Sequence, residues 1–568
     1  MPVDFLDISV GLLGMVLGYA GADWALRGGG LVRLLRRVGL GVGDRAPLGL
    51  TALCVVGASY WPWEAVAEGG TLRWFATALG VLLTWRAATR DIDVVDGRAH
   101  GVARVVVCIT ALGAFWSPSL LFATGMLLTT PFGMWQHHAT LPMRLLQALL
   151  AFAVLSSLRP FWPAGVPVVT VGACVFWLVV MQSSHYVITA LAKGFLGPRW
   201  YSWPNDNRLH HLAASAYSWG WARFVPWSKW LSVIRVARVI ERPSQWLVFL
   251  VEGCAPLALL HPYGAAGLSV AWAGFHAGVF VFSGLLFWEW IATDLLFAGL
   301  LVLLPSEALA GWFGLVPCLL GLGVMVVFPF RHKLWKPMPL GWWDTPFTQR
   351  MHWRVYGESG RCYGLYADFM DPHERIYGKV HGCFMAPMPV LTYHLGEAWR
   401  HELRDGLRAS GGDLARIADL RSEFGIEPLD ASLAANHRAY LERFCWELNR
   451  GARKHVLPKA MRWLKAPGGQ CYYWGAWPAY RQQEPIARLE VVYKEEFFDG
   501  ERLLAVGDER VVLEVAIPRG STAPDAAVEP TPKELDDHLL KFAAGRLIRL
   551  PGIGAGLVQG DDGKGAGS

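Results

Sequence analysis

The sequence predicts an all-α polytopic membrane domain of about ten helices followed by a smaller soluble α+β domain. Three observations predict it. Of 568 residues, 53% are hydrophobic and only 17% charged, where a soluble globular chain carries about a quarter charged residues. The apolar residues gather before residue 330 and the charges after it. Many of the 29 Trp stand at the ends of apolar runs, among them Trp61, Trp63, Trp200, Trp203, Trp342 and Trp343, a placement that suits the half-wet membrane interface.

At roughly 20 apolar residues per crossing, spans are expected near 8–26, 48–66, 73–90, 104–130, 145–158, 165–192, 246–262, 266–287, 289–304 and 311–330. The runs at 104–130 and 165–192 are long enough to tilt or to hold a broken helix. Met1-Pro-Val-Asp-Phe lacks the basic start of a cleavable signal, so the first run is read as a retained span. Between Gly194 and Pro243 the chain is too polar to cross. Within it Trp227, Trp230, Leu231 and Ile234 recur at helical spacing while Arg235, Arg238 and Arg242 take another face, the pattern of a helix in the interface or of a surface helix packed on protein.

After Arg331-His-Lys-Leu-Trp-Lys a soluble α+β domain is expected over 331–517. Charges at helical spacing mark helices in 396–450, and Cys471–Trp477, Ile486–Phe498 and Arg510–Ile517 read as strands of a small antiparallel sheet following them. Residues 518–568 supply a Pro/Ala linker near 518–532, an amphipathic helix near 532–549 and a Gly-rich tail from Gly552.

The net charge of +6 is spread over juxtamembrane loops with no nucleic-acid motif. It points to membrane topology and to a lipid partner. Five of the nine Cys, at 54, 108, 174, 254 and 318, lie inside apolar stretches, and none forms a C-x-x-C pair. Neither a disulfide framework nor a zinc ribbon is expected. Loop charge leaves orientation open, but parity is informative. Six expected spans separate the His137 loop from the C-terminal domain and four separate the end of the Lys193 helix from it, so all three face one compartment.

Ionisable residues in apolar segments are costly unless paired or functional. They are His137 and His138 after Trp135-Gln, His185 and Lys193 in one apolar helix, Glu252, His276, Glu289 and Asp294. Two readings of Lys193 stand: burial would favour the neutral amine and make it a general base, or the side chain snorkels to the interface. The histidines lack the i,i+4 repeats of metal-binding helices, and no metal is expected. The small residues Gly274, Ala277 and Gly278 around His276 suggest close helix packing. Asp368, Asp371, His373, Glu374, His381 and Cys383 read as a metal cluster or as an ordinary turn at Asp371-Pro-His.

Over residues 100–330 the order of motifs resembles the HTTM domain, the membrane module of vitamin K-dependent γ-carboxylases and their bacterial relatives. The motifs are Trp135-Gln-His-His, His185-Tyr-Val-Ile-Thr-Ala-Leu-Ala-Lys193, Glu252-Gly-Cys-Ala-Pro, and Gly274-Phe-His-Ala-Gly leading to Leu286-Phe-Trp. In that family a membrane-buried Lys deprotonates vitamin K hydroquinone, whose reaction with oxygen yields the base that activates glutamate for carbon dioxide. The resemblance implies Lys193 as that base, assisted by His137 or His138, with His276 in the same pocket. It also implies Trp135, His185 and Trp288 around the cofactor and a lyase-type, quinol-coupled enzyme of the bacterial inner membrane. Its substrate would be a peptide or small molecule, although the water-facing domain is smaller than that of animal carboxylases. A non-catalytic membrane protein that binds lipid or a partner in the same cavity is the competing reading. A transporter would show an internal repeat with paired broken helices, and none is found.

Overall fold

The computed structural model describes residues 5–26, 30–31, 46–66, 70–90, 101–130, 132, 139–158, 161, 169–330, 334–335, 337, 339–365, 377, 383–427, 430–452, 457–473, 477–518, 520 and 522–524. The N-terminal part is helical: α1 (Phe5–Leu26), α2 (Ala46–Gly57), α3 (Gly70–Thr89), α4 (Gly101–Gly113), α5 (Pro118–Thr129), α6 (Thr140–Ser157) and α7 (Val171–Gly194). A connecting region follows with α8 (Ser202–Asp206), α9 (Leu209–Ser218) and α10 (Trp227–Gly253). Then come α11 (Pro262–Ser283), α12 (Trp288–Leu303), α13 (Ser306–Leu309) and α14 (Leu315–Phe330).

Four of these helices, α1, α6, α7 and α11, are long and apolar enough to cross a membrane. That is fewer than the ten spans expected, and the physical reasons are local. The run at 104–130 folds as two short helices because Gly113 ends α4 and Ser117 starts α5, accepting a hydrogen bond from the Ser119 amide with Pro118 in the first turn. The expected interfacial helix at 227–242 and span at 246–262 form one helix, α10, which runs through Pro243 and stops at Gly253. Further apolar helices of 10–17 residues lie at Pro47–Gly57, Gly101–Gly113, Pro118–Thr129 and Leu315–Val327.

α7 is the axis of the bundle. It is apolar on nearly all sides, so it must be enclosed, and α1, α6, α10 and α14 pack around it. The surrounding helices turn large apolar side chains outward, as with Leu13 and Leu17 on α1, Val105 and Ile109 on α4, Val270 on α11 and Leu319 on α14. A belt of this kind requires a lipid solvent. Close approach inside the bundle depends on glycine: Trp312 inserts where a Cβ on Gly172 would come within 2.2 Å of its ring and one on Gly11 within 2.5 Å.

The C-terminal part contains β1 (Trp343–Asp344), β2 (Phe347–Gly357), β3 (Cys362–Gly364), β4 (Glu397–Ala398), α15 (His401–Ser410), α16 (Leu414–Phe424), α17 (Ala431–Asn449), β5 (Ile486–Phe498), β6 (Leu503–Ala505) and β7 (Arg510–Ala516). β2 and β5 pair antiparallel from Phe347↔Phe497 to Gly357↔Ile486. β3 flanks β2, and β6 and β7 share the far edge of β5. α17 packs on β5 and β7, burying Leu433, Tyr440 and Phe444. β5 and β7 fall where runs of aromatic and β-branched residues bounded by Pro, Gly and Asp predicted them. The order of helices followed by sheet is corrected, because the long β2 precedes the helices and completes the sheet from the other end of the domain.

Of the segment read as a strand at Cys471–Trp477, residues 474–476 lie outside the described residues, and 471–473 continue a strap from Gly469 onto the helical part. Leu286 donates to the Gly469 carbonyl at 2.9 Å, Cys471 to Gly284 at 3.0 Å, and Tyr473 to Gly220 at 3.1 Å. Gly220 has φ +104°, and a Cβ there would sit 2.1 Å from the Tyr473 carbonyl oxygen, so only glycine admits this contact. α9 adds a second junction: Trp219, just past its end, enters the core of the C-terminal domain and donates to Thr348 Oγ1 at 3.0 Å. The linker, helix and tail expected after residue 518 lie almost wholly outside the described residues.

Candidate functional site

Lys193 stands in the last turn of α7 and is buried, with 6% of its surface exposed. Its Nζ is 2.5 Å from Glu252 Oε2, and Glu252, at the end of α10, is 1% exposed. The Trp203 ring lies 4.7 Å from the ammonium nitrogen and the Phe275 ring 5.7 Å. An enclosed ion pair with two aromatic walls is the opposite of a snorkelling side chain, which keeps its head in water. Gly341 seats against the backbone of Ala192 and Lys193, and Trp203 Nε1 donates to the Trp342 carbonyl at 2.7 Å. The Lys193 end of α7 therefore meets the start of the C-terminal domain.

Two turns earlier on the same helix a second polar cluster is closed. Gln182 and Tyr186 lie four residues apart and share a face, as do Ser269, Trp272 and His276 on α11. Asp294 of α12, fully buried, accepts from Gln182 Nε2 at 2.7 Å and from the Tyr186 hydroxyl at 2.8 Å. Because that hydroxyl donates to Asp294, the contact of 3.1 Å to His276 Nε2 requires His276 to be the donor. The result is a directed chain from imidazole to phenol to carboxylate. Trp272 stacks on Tyr186 with centroids 4.0 Å apart and planes at 6°.

His185 faces elsewhere. Its Nδ1 donates to the Met181 carbonyl at 2.9 Å, which leaves Nε2 to accept from Arg144 at 2.7 Å. Trp288 donates its indole N–H to Pro467 at 3.1 Å and meets Trp85 edge-on, so it serves the junction with the C-terminal domain. Next to it, Glu289 pairs with Arg86 in the interior. Thus Lys193 and His276 come to the faces around α7, while His185 and Trp288 make other contacts. Gly274 and Gly278 have open space where a Cβ would be, so the small residues beside His276 are not a packing seam.

His137, His138 and Trp135 lie outside the described residues, as do Asp368, Asp371, His373, Glu374 and His381. Among the described residues no three His, Cys, Asp or Glu side chains gather as a metal site. Glu252 as the partner of Lys193, and Tyr186 and Gln182 as partners of Asp294, were missed. For Glu252 a signal existed: a buried cation such as Lys193 and the few carboxylates in apolar segments must find partners.

A layer at the domain boundary completes the region. Asn207 Nδ2 donates to Asp344 Oδ2 at 2.7 Å, and the Asp344 amide donates back to Asn207 Oδ1 at 2.8 Å. Burial pushes the Asp344 carboxyl up to about 6, against the opposing pull of Asn207, Trp342, Arg408 and Lys193. His211 is held well below its ordinary value by burial, with His210 and Arg408 adding to it. No family model, no curated protein and no solved structure matches the chain.

Proposed function

We propose that the protein is an integral membrane enzyme, of a bacterial inner membrane, in which the Lys193–Glu252 pair accepts a proton from a lipid-soluble reductant of the hydroquinone class. The observation that carries this reading is the buried pair itself. Enclosing two charges costs several kcal/mol per ion before their attraction is counted, and a membrane interior raises that cost, which marks such pairs as functional by default. The pair holds one proton in either of two forms, ammonium with carboxylate or amine with carboxylic acid. In the second form the amine can take a further proton while Glu252 keeps the first.

Support for a reduced quinone comes from the side chains around the pair. Trp203 and Phe275 offer flat apolar surfaces beside a proton acceptor, as recognition of a planar, hydroxyl-bearing ring requires. Such a group would supply an ionisable hydroxyl and reducing equivalents. Lys193 would receive the hydroxyl proton while Glu252 keeps its own, the ammonium so formed would be balanced by the ring oxyanion left behind, and the His276–Tyr186–Asp294 chain would fix the orientation of α11 against α7. The resemblance to vitamin K-dependent carboxylases supports the choice of reductant and suggests a peptide or small-molecule substrate reaching the site from the C-terminal domain.

The reading of a non-catalytic lipid-binding protein draws support from a basic cavity on α10 described below. Mass spectrometry of small molecules that copurify with the full chain separates the two. A quinone retained by the native protein and lost in Phe275→Ala is the expected result; phospholipid alone in both would favour the binding protein.

A further inference from the structure

A cavity of about 590 Å³ opens between the start of α9, the middle of α10, the end of α15 and the turn after β5. Four of its lining side chains are arginines, Arg208, Arg238, Arg242 and Arg408, against two acids, Glu241 and Asp499. Both acids are engaged locally. Glu241 takes His210 Nδ1 at 2.6 Å and Arg208 at 3.4 Å. Asp499 Oδ1 accepts the amides of Glu501 and Arg502 in its own turn, at 2.8 and 2.7 Å.

Three guanidinium groups are therefore left over. Arg238 and Arg242 are exposed on α10 and have no ion pair among the described residues. Among the described residues Arg408 donates Nη2 to backbone carbonyls alone, those of Asp206 at 2.9 Å and Asp344 at 3.4 Å. Its buried Nε has no hydrogen-bond partner among the described residues. An unmatched buried donor of this kind costs about 1–3 kcal/mol unless something accepts from it. Burial and the neighbouring Arg404 and Arg208 lower the Arg408 guanidinium to about 10, so the surplus positive charge is felt there.

We infer that this cavity is a binding site for a phosphate-bearing anion, held by Arg408, Arg242 and Arg238. Planar guanidinium forks match the oxygens of phosphate in paired hydrogen bonds. The volume is that of a small-molecule site, for which roughly 300–1,000 Å³ is usual. Phe497 and Phe498 give it an apolar wall for the rest of the ligand. The phosphate can belong to a soluble ester or to a lipid headgroup, since α10 carries Arg235, Arg238 and Arg242 outward along one side. The site asks nothing of Lys193, and its failure would leave the proton-accepting pair untouched.

Calorimetric titration of the full-length protein in a neutral detergent tests it with two probes, glycerol 3-phosphate and short-chain phosphatidylglycerol, against glycerol and short-chain phosphatidylcholine. Saturable binding of at least one anionic probe is expected. Arg408→Gln and Arg242→Gln should each weaken it by about tenfold, the worth of one charge-assisted hydrogen bond. Arg235→Gln, on the same helix but outside the cavity, should leave it unchanged. Binding of glycerol 3-phosphate assigns a soluble ligand, and binding of the lipid alone assigns a headgroup. Absence of saturable binding by both probes, or an equal loss in Arg235→Gln, would overturn the site; the exposed Arg242 keeps the test valid even if Arg408→Gln folds poorly.

Discussion

At the scale of single residues the structure turns on charges that have no access to water. Glu252→Gln leaves Lys193 enclosed without its countercharge, and breaking a buried pair from one side costs roughly 3–5 kcal/mol. Lys193→Met leaves the carboxylate stranded at a similar cost. The double variant removes both charges, and most of the loss should return. Thermal denaturation of the four proteins in detergent checks this; single losses that simply add would mean the two groups do not depend on each other. Part of this was legible beforehand. Lys193, Glu252, His276 and Asp294 stand out because ionisable groups in apolar runs need a reason. The pairing was not, since 59 residues separate Lys193 from Glu252. Tyr186 and Gln182 gave no signal at all, because neutral polar side chains are ordinary in an apolar helix.

At the scale of elements, two devices make separate predictions. Ala normally stabilises a helix over Gly by about 1 kcal/mol, but on α7 the sign should reverse at Gly172, where the new methyl meets Trp312. Overpacking of this sort costs about 1–3 kcal/mol. Gly172→Ala should lower the melting temperature, whereas Gly267→Ala on α11, which points into open space, should not. The second device is His437 on α17, buried against Tyr377 and Phe384, which burial lowers to about 3. The folded state keeps it neutral while the unfolded chain protonates near its ordinary value of roughly 6.5. Its contribution is thus fully present above about pH 6.5 and falls as pH drops towards 3, by about 2 kcal/mol between pH 7 and 5. Urea titration of wild type and His437→Gln at those two pH values should show the smaller pH dependence in the variant. Strand legibility followed composition, since β5 and β7 are rich in β-branched and aromatic residues and are bounded by Pro, Gly and Asp. β7 shows alternation because one face is wet, while β2 is covered on both faces and buries Thr348, Gln349, Arg350 and His352. Its polar residues hid the strand because they were inside.

At the scale of the molecule, a helical bundle with a lipid-facing apolar belt carries an antiparallel sheet domain, and the two meet where α7 ends. That a mostly helical chain ends in a smaller sheet-containing C-terminal region was legible from composition, because lipid and water select opposite surfaces. The number of crossings was not, since hydropathy does not reveal where a cap such as Ser117-Pro118 cuts a run or where α10 continues through a proline. The central claim is that the Lys193–Glu252 pair is a proton acceptor and not merely a structural tie. Lys193→Arg separates these roles, because guanidinium retains the charge and the reach to Glu252 but does not deprotonate. The most direct measurement is oxidation of an added hydroquinone, with dissolved oxygen as the electron acceptor, by full-length wild type and Lys193→Arg in aerated liposomes, with equal membrane insertion confirmed. Loss of oxidation in Lys193→Arg while its melting temperature stays near that of wild type is the predicted result. Oxidation at the wild-type rate in Lys193→Arg would contradict it and leave Lys193 as a structural cation.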